Sequence, residues 1–187
     1  MSALRTIPKP AENEYPPYSS VYMDLTKDDG LILQHLKDNF LRIKEFIYSL
    51  PEQMLYHRYE EGKWSIKEIL VHIIDDERIF AYRALRYARA DKTELPGFEQ
   101  DDYTFYSKAD NRSVESIFEE YEAVRNATVA MFNALPEESF VRTGTSTGNI
   151  NMRTVRALAY HIAGHELRHI KIIKERYLLL STANGII

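Results

Sequence analysis

The 187-residue chain contains no cysteine. That lack removes disulfides, thiolate nucleophiles and cysteine-ligated zinc together, so any thiol in its chemistry must come from a cosubstrate. It fits a reducing compartment, and a cytoplasmic location is the expectation. Long apolar runs are missing too. No stretch of 18 or more apolar residues occurs, so no membrane span is expected. The segment Met1 to Pro17 carries prolines and charges where a signal peptide needs an apolar stretch. Basic excess is also absent: 24 Lys and Arg stand against 28 Asp and Glu, a net charge of −4, with no Lys/Arg run. Neither nucleic acid nor a membrane is therefore an expected partner. The 44% hydrophobic and 28% charged content is that of a soluble globular protein. A chain of this length fits one domain that buries about two thirds of its unfolded surface, enough for a core without staples.

Residues 1–25, with Pro8, Pro10, Pro16 and Pro17, read as an extended N-terminal arm; residues 26–187 read as a single helical domain. A first helix is expected to begin near Thr26 to Asp29, whose acidic residues suit a helix N-terminus. Ile32, Leu36, Phe40, Ile43, Ile47 and Leu50 follow the three-or-four spacing of one buried stripe, and Pro51 stops it. The second helix has the clearest start: Ser65 and Glu68 form an S-x-x-E capping box, with Trp64 placed to staple the entry turn. Its buried face is Ile69, Ile73, Phe80, Ala84 and Tyr87, running to about Ala90. A polar and aromatic connection with a Pro96-Gly97 turn spans Asp91 to Asn111. Ser113 caps a third helix with the stripe Ile117, Tyr121, Val124, Thr128, Met131 and Leu135, closed by Pro136. After a Gly- and Thr-rich loop from Thr143 to Asn149, a last long helix runs from about Met152 to Leu180. No segment alternates as a half-buried strand does, and no internal repeat occurs. The fold class is all-α, a four-helix bundle with long connections.

Three of the six histidines, His161, His165 and His169, lie four residues apart on that last helix. Neighbours at this spacing sit about 40° apart around the axis and roughly 6 Å along it, so two imidazoles can converge on one ion. Three successive positions spread over about 80° and 12 Å, too far for one helix to supply all the ligands. The spacing alone leaves the choice among these three open and asks for a further ligand from a facing helix. His72, inside the second helix beside its apolar stripe and followed by Asp75, Asp76 and Glu77, is the best candidate. His35 and His57 have no partner at ligand spacing and read as ordinary histidines.

His165-Glu166-Leu167-Arg168-His169 also matches the H-E-x-x-H zinc-protease motif, in which the Glu is the general base. Eighteen residues after His169 leave little room for the usual downstream ligand, and the strand that holds a peptide substrate is missing. Glu166 is thus either a base or second-layer group at the site or an exposed neighbour of His165.

The stretch from Gly62 to Arg78 (GKWSIKEILVHIIDDER) resembles the first signature of the DinB-like (YfiT-like) metalloenzyme family. Leu95 to Tyr103 (LPGFEQDDY) is similar to that family's central loop, and Ala159 to His169 (AYHIAGHELRH) to its last-helix signature. The three keep the family's order, span most of the chain, and are specific only when taken jointly. The resemblance implies a four-helix bundle holding a divalent metal through His72, His165 and His169, a homodimer, and in some branches transfer to or from a low-molecular-weight thiol. His161 departs from the apolar residue expected there. It is either a second-layer group, a fourth ligand or neither.

Three histidine ligands leave a tetrahedral ion one open position, where water or a cosubstrate thiol can be acidified. The expected function is that of a metal-dependent transferase or hydrolase on a small molecule, against a non-catalytic metal-binding bundle. Zinc and nickel both suit imidazole. Asp76 or Glu77 can orient a ligand ring, or else pair with Arg78 or Arg83 on an exposed face. Arg83 can recognise a carboxylate of substrate or cosubstrate through its planar fork, or form a surface ion pair. Phe98, Tyr103, Phe105 and Tyr106 either roof the pocket or anchor the loop.

Overall fold

The computed structural model describes residues 3–146 and 152–178. Its long helices are α2 (Ile32–Tyr48), α3 (Ile66–Ala88), α5 (Val114–Ala134) and α6 (Val155–Ile172), with two short ones, α1 (Ser20–Met23) and α4 (Gln100–Ser107). α5 and α6 each pack against both α2 and α3, so the four long helices alternate around one core. This is the all-α bundle that the periodicity predicts. The buried faces are also those predicted: Ile32, Leu36, Phe40, Ile43 and Ile47 on α2, and Ile69, Ile73, Phe80, Ala84 and Tyr87 on α3.

Local chemistry sets the helix starts. Ser65 Oγ accepts from the Glu68 N–H at 3.1 Å while Glu68 Oε2 accepts from the Ser65 N–H at 2.8 Å, so both halves of the capping box are made. Ser113 caps α5 through the Ser116 N–H, and Thr154 caps α6 through the Ala157 N–H. α2 begins later than its acidic residues suggest. Thr26 closes α1 by donating to the Met23 carbonyl, Gly30 turns at φ 72°, and Asp29 binds the Leu31 N–H and the His35 ring. The residues expected to start a helix therefore make the turn before it.

Three further differences have physical causes. The connection from Asp91 to Asn111 is not all loop: it contains α4, whose Asp101 and Asp102 favour a helix N-terminus and whose end is the left-handed Lys108. A two-residue antiparallel ribbon joins β1 (Thr143–Gly144) to β2 (Arg153–Thr154), and this pairing delays α6 to Val155. The rest of the Gly- and Thr-rich loop, 147–149, and the expected helix end at Leu180 lie outside the described residues; α6 continues as a π turn over Ile173–Leu178.

The N-terminal segment is not a free arm. Ile7 is fully buried, its N–H donates to the Gly30 carbonyl, and its own carbonyl accepts from the Tyr160 hydroxyl at 2.8 Å. Two 3-10 turns, Glu12–Glu14 and Pro17–Ser19, lead into α1, which lies against α6. α6 explains why. Val155, Ala157 to Glu166 and Ile170 are all buried, so over this stretch the helix is enclosed nearly all round, and its outer face needs a cover. Residues 3–25 strap over that face.

Candidate metal centre

His72 comes from the second turn of α3; His165 and His169 come from successive turns of α6, the helix pair in direct contact. Their Nε2 atoms face one another: His72 to His165 at 3.2 Å, and His169 to His165 at 3.1 Å. The set is the one group of three or more metal-ligating side chains that converges among the described residues, with ligand atoms all within 4.8 Å. Two nitrogens each 2.0–2.1 Å from one ion at a tetrahedral angle would be about 3.3 Å apart, so the spacing fits an ion without rearrangement.

Burial prepares the rings as ligands. It lowers the pKa of His72 against the opposing pull of Asp76 and Asp101, and pushes His165 down to about 3 despite Asp76. His169 is held well below its ordinary value by burial and by the neighbouring His165 and His72. All three are neutral near pH 7, with lone pairs free for coordination.

Asp76, one turn beyond His72 on α3, stands behind the set. Its Oδ2 is 3.3 Å from His165 Nδ1 and 3.6 Å from His161 Nε2, close enough for charge interaction, and is buried with no hydrogen-bond partner. Although burial by itself raises the Asp76 pKa, the surrounding His165, His161 and His72 hold it far below the usual carboxylate range. An ionised carboxylate on Nδ1 fixes the tautomer that leaves Nε2 as the ligand atom. Removing it by Asp76→Ala is expected to weaken metal affinity by about 10- to 100-fold, read by competition with a chromophoric chelator. Unchanged affinity would show that Asp76 does not orient the ligand.

Other predicted site residues fall elsewhere. Glu166 is not exposed and does not serve the histidines. It is fully buried, its Oε1 accepting from Asn39 at 2.9 Å and its Oε2 from Tyr121 and Arg125. With both oxygens engaged on the far side of α6, the general-base role suggested by H-E-x-x-H has no geometric basis. Glu77 likewise turns to Arg125, at 2.9 Å, and not to a ligand ring. Arg83 forms no surface ion pair; it is buried, donates to the Pro96 carbonyl at 3.0 Å and lies over Phe80. His161 stays out of the triad, stacked on Phe80 at 3.9 Å between ring centroids, with neither nitrogen hydrogen-bonded.

The triad reaches the surface through His169, in a cleft of about 270 Å³ walled by Trp64, Tyr59, Tyr177, Lys63 and Asp101. Trp64, predicted as a staple, also packs its ring 4.7 Å from that of His72. Gly62, at φ 75°, makes the turn that brings Lys63 and Trp64 to this wall. Asp101 on α4 falls within the Leu95–Tyr103 stretch, but nothing in that pattern marks it as a neighbour of the histidines. Phe98 and Tyr103 line a second cleft with Arg83, Phe105 borders a third beside Trp64, and Tyr106 is exposed. The aromatic loop thus does not form one roof.

Fold and site together define a four-helix bundle with one buried three-histidine set, supplied by the second and fourth long helices and backed by a carboxylate. The DinB superfamily profile matches residues 36–173, and the chain belongs to that superfamily. A protein of Oceanobacillus iheyensis, named provisionally as a metal-dependent hydrolase, is 33% identical over 137 residues, covering 70% of this chain and 76% of that one. YfiT of Bacillus subtilis, described as a four-helix bundle of unusual topology, superposes with a TM-score of 0.69 at 16% identity. The match covers 82% of this chain and 86% of YfiT. The likeness to YfiT shows the DinB-like fold. No helix among the described residues is long and apolar enough to cross a membrane.

Proposed function

We propose that the chain is a mononuclear metal-dependent hydrolase of a small molecule, with the ion on His72, His165 and His169. The observation that carries this reading is the convergence of three histidines at the inner end of a surface cleft, with His165 Nε2 3.2 Å from that of His72 and 3.1 Å from that of His169, and all ligand atoms within 4.8 Å. A divalent ion held by three histidines supplies Lewis acidity and lowers the pKa of water near neutral pH. The chain's own groups do the rest. Asp76 holds the His165 ring in its ligating tautomer, and Trp64 and Tyr59 shield the cleft from bulk solvent. Asp101, at the rim with His169, is placed to accept a proton from a group in the cleft. Zinc and nickel remain the candidate ions, since imidazole suits both.

The name of the Oceanobacillus relative supports hydrolysis. Transfer to a low-molecular-weight thiol, which the sequence resemblance implies in some branches, would use the same open position. The test is metal content by mass spectrometry on untagged protein never exposed to nickel resin. About one equivalent is expected in wild type and almost none in His169→Ala. Hydrolysis of small ester or amide substrates by the loaded protein, unaffected by added thiol, supports the hydrolase reading; turnover only with thiol present replaces it with the transferase. No metal in wild type and none taken up from zinc or nickel would end both.

A further inference from the structure

Three arginines of this bundle are buried, and they are not treated alike. Arg125 meets two carboxylates, Glu77 and Glu166. Arg83 of α3 and Arg153 of β2 are only 6% and 3% exposed, yet neither forms an ion pair with a carboxylate among the described residues. The acceptors found for them are neutral: the Pro96 carbonyl for Arg83, and the Tyr18 hydroxyl at 2.8 Å and Ser19 Oγ at 3.2 Å for Arg153. Arg153 Nε is buried with no partner at all. A buried charge ordinarily has a counter-charge or a ligand, because desolvating it alone is costly.

The two guanidiniums share one location. Their central carbons lie 4.9 Å (Arg83) and 5.4 Å (Arg153) from the centroid of Phe80, the ring that stacks on His161. Burial lowers the Arg83 pKa and the nearby charge of Arg153 lowers it further, against the opposing pull of Tyr87, Asp76 and Tyr18. The nearest acid, Asp76, faces His165 and His161. Access exists from outside: Arg83 lines a cleft of about 270 Å³ with Leu95, Pro96, Phe98 and Tyr103, separate from the cleft at His169.

We propose that Arg83 and Arg153 form an oxyanion-binding subsite, in which Arg83 meets a carboxylate or phosphate group entering this cleft and Arg153 supplies the second charge from behind Phe80. The guanidinium fork matches the two oxygens of either group. The subsite selects anionic small molecules, and it stands whether or not the histidines hold a metal.

The test is calorimetric titration of the full chain, metal-free, with inorganic phosphate and separately with acetate, ionic strength being held constant with sodium chloride. Saturable binding of one or both anions is expected, the tighter of the two identifying the headgroup. Arg83→Gln should weaken binding by roughly tenfold or more and Arg153→Gln by a few-fold. His169→Ala should bind as wild type does, so loss of the metal reading and loss of this subsite are read separately. If Arg83→Gln does not fold by circular dichroism, Arg83→Lys, which keeps the charge and loses the fork, should show the same weakening. No saturation with either anion, or equal binding by wild type and both Arg83 variants, overturns the proposal and leaves the pair as a structural counter-charge to Asp76.

Discussion

Arg125→Met is expected to lower stability by about 3–5 kcal/mol, a fall in Tm of about 6–20 °C for a chain of this size. The side chain is 2% exposed and fully enclosed. Its Nε and Nη2 donate to Glu77 at 2.9–3.1 Å, Nη2 also reaches Glu166 and Tyr121, and Nη1 donates to the Leu36 carbonyl. The cluster therefore ties α5 to α3, α6 and α2 at one point. Methionine leaves two buried carboxylates with no cation between them. Burial already raises the Glu166 pKa against the opposing pull of Arg125, and deprived of Arg125 it rises further above its unfolded value. Such a group destabilises the folded state increasingly as pH climbs past the unfolded value of about 4.3. The deficit relative to wild type should thus be largest near pH 7 and shrink on acidification toward pH 4. Adding Glu77→Gln and Glu166→Gln to Arg125→Met should restore most of the loss, because a neutral buried set carries no unpaired charge. Chemical denaturation across pH measures all of this. A single variant as stable as wild type at pH 7 would mean the cluster is solvated in solution.

That cluster marks the limit of what the residues disclose in order. The Ser65 and Glu68 cap, the α2 and α3 stripes, and the four-residue spacing of His165 and His169 are local patterns, and the structure reproduces each. His72 lies 93 residues before His165; its place inside a helix beside the apolar stripe makes it a candidate partner, and the signature resembling the DinB-like family is what fixes the set as His72, His165 and His169. Arg125 has no such signature: its partners lie 48 and 41 residues away, and an arginine in an amphipathic stripe reads as a break in that stripe. Asp76 and Glu77 illustrate the same limit at single-residue scale. They are adjacent acids on one helix, about 100° apart around its axis, and only the positions of α5 and α6 send one to His165 and the other to Arg125. Prolines in the first 25 residues suggest extended backbone, whereas the segment also holds two 3-10 turns and α1, and they say nothing of what it covers. The cover is demanded by α6, whose all-round burial becomes evident only once its neighbours are counted.

Gly164 is where that cover touches the helix, and Gly164→Ala should be nearly as disruptive as the loss of Arg125. In an exposed helix interior the substitution would stabilise by up to about 1 kcal/mol. Here an added Cβ would lie 2.2 Å from the Tyr22 carbonyl oxygen and 2.6 Å from its carbonyl carbon. Ordinary carbon–oxygen contacts are about 3.3–3.6 Å, so the backbone of α1 must retreat by about 1 Å. Backbone cannot rotate away as a side chain tip does, and α6, which carries Gly164, is too enclosed by its neighbours to yield instead. A net loss of about 3 kcal/mol is expected, or about 6–12 °C in Tm. The damage should reach the histidines as well. Tyr22 sets its ring edge-on to His161 at 4.9 Å and to His165 at 5.5 Å, closing the Asp76 side of the triad from water. Lifting it hydrates Asp76 and loosens the His165 ring, so metal affinity should fall with stability, as Asp76→Ala alone makes it fall without disturbing α1. Limited proteolysis separates the two: Gly164→Ala should be cut within residues 3–25 at protease levels that leave wild type and Asp76→Ala intact. Resistance equal to wild type would mean that the strap and α6 are not in contact at Gly164.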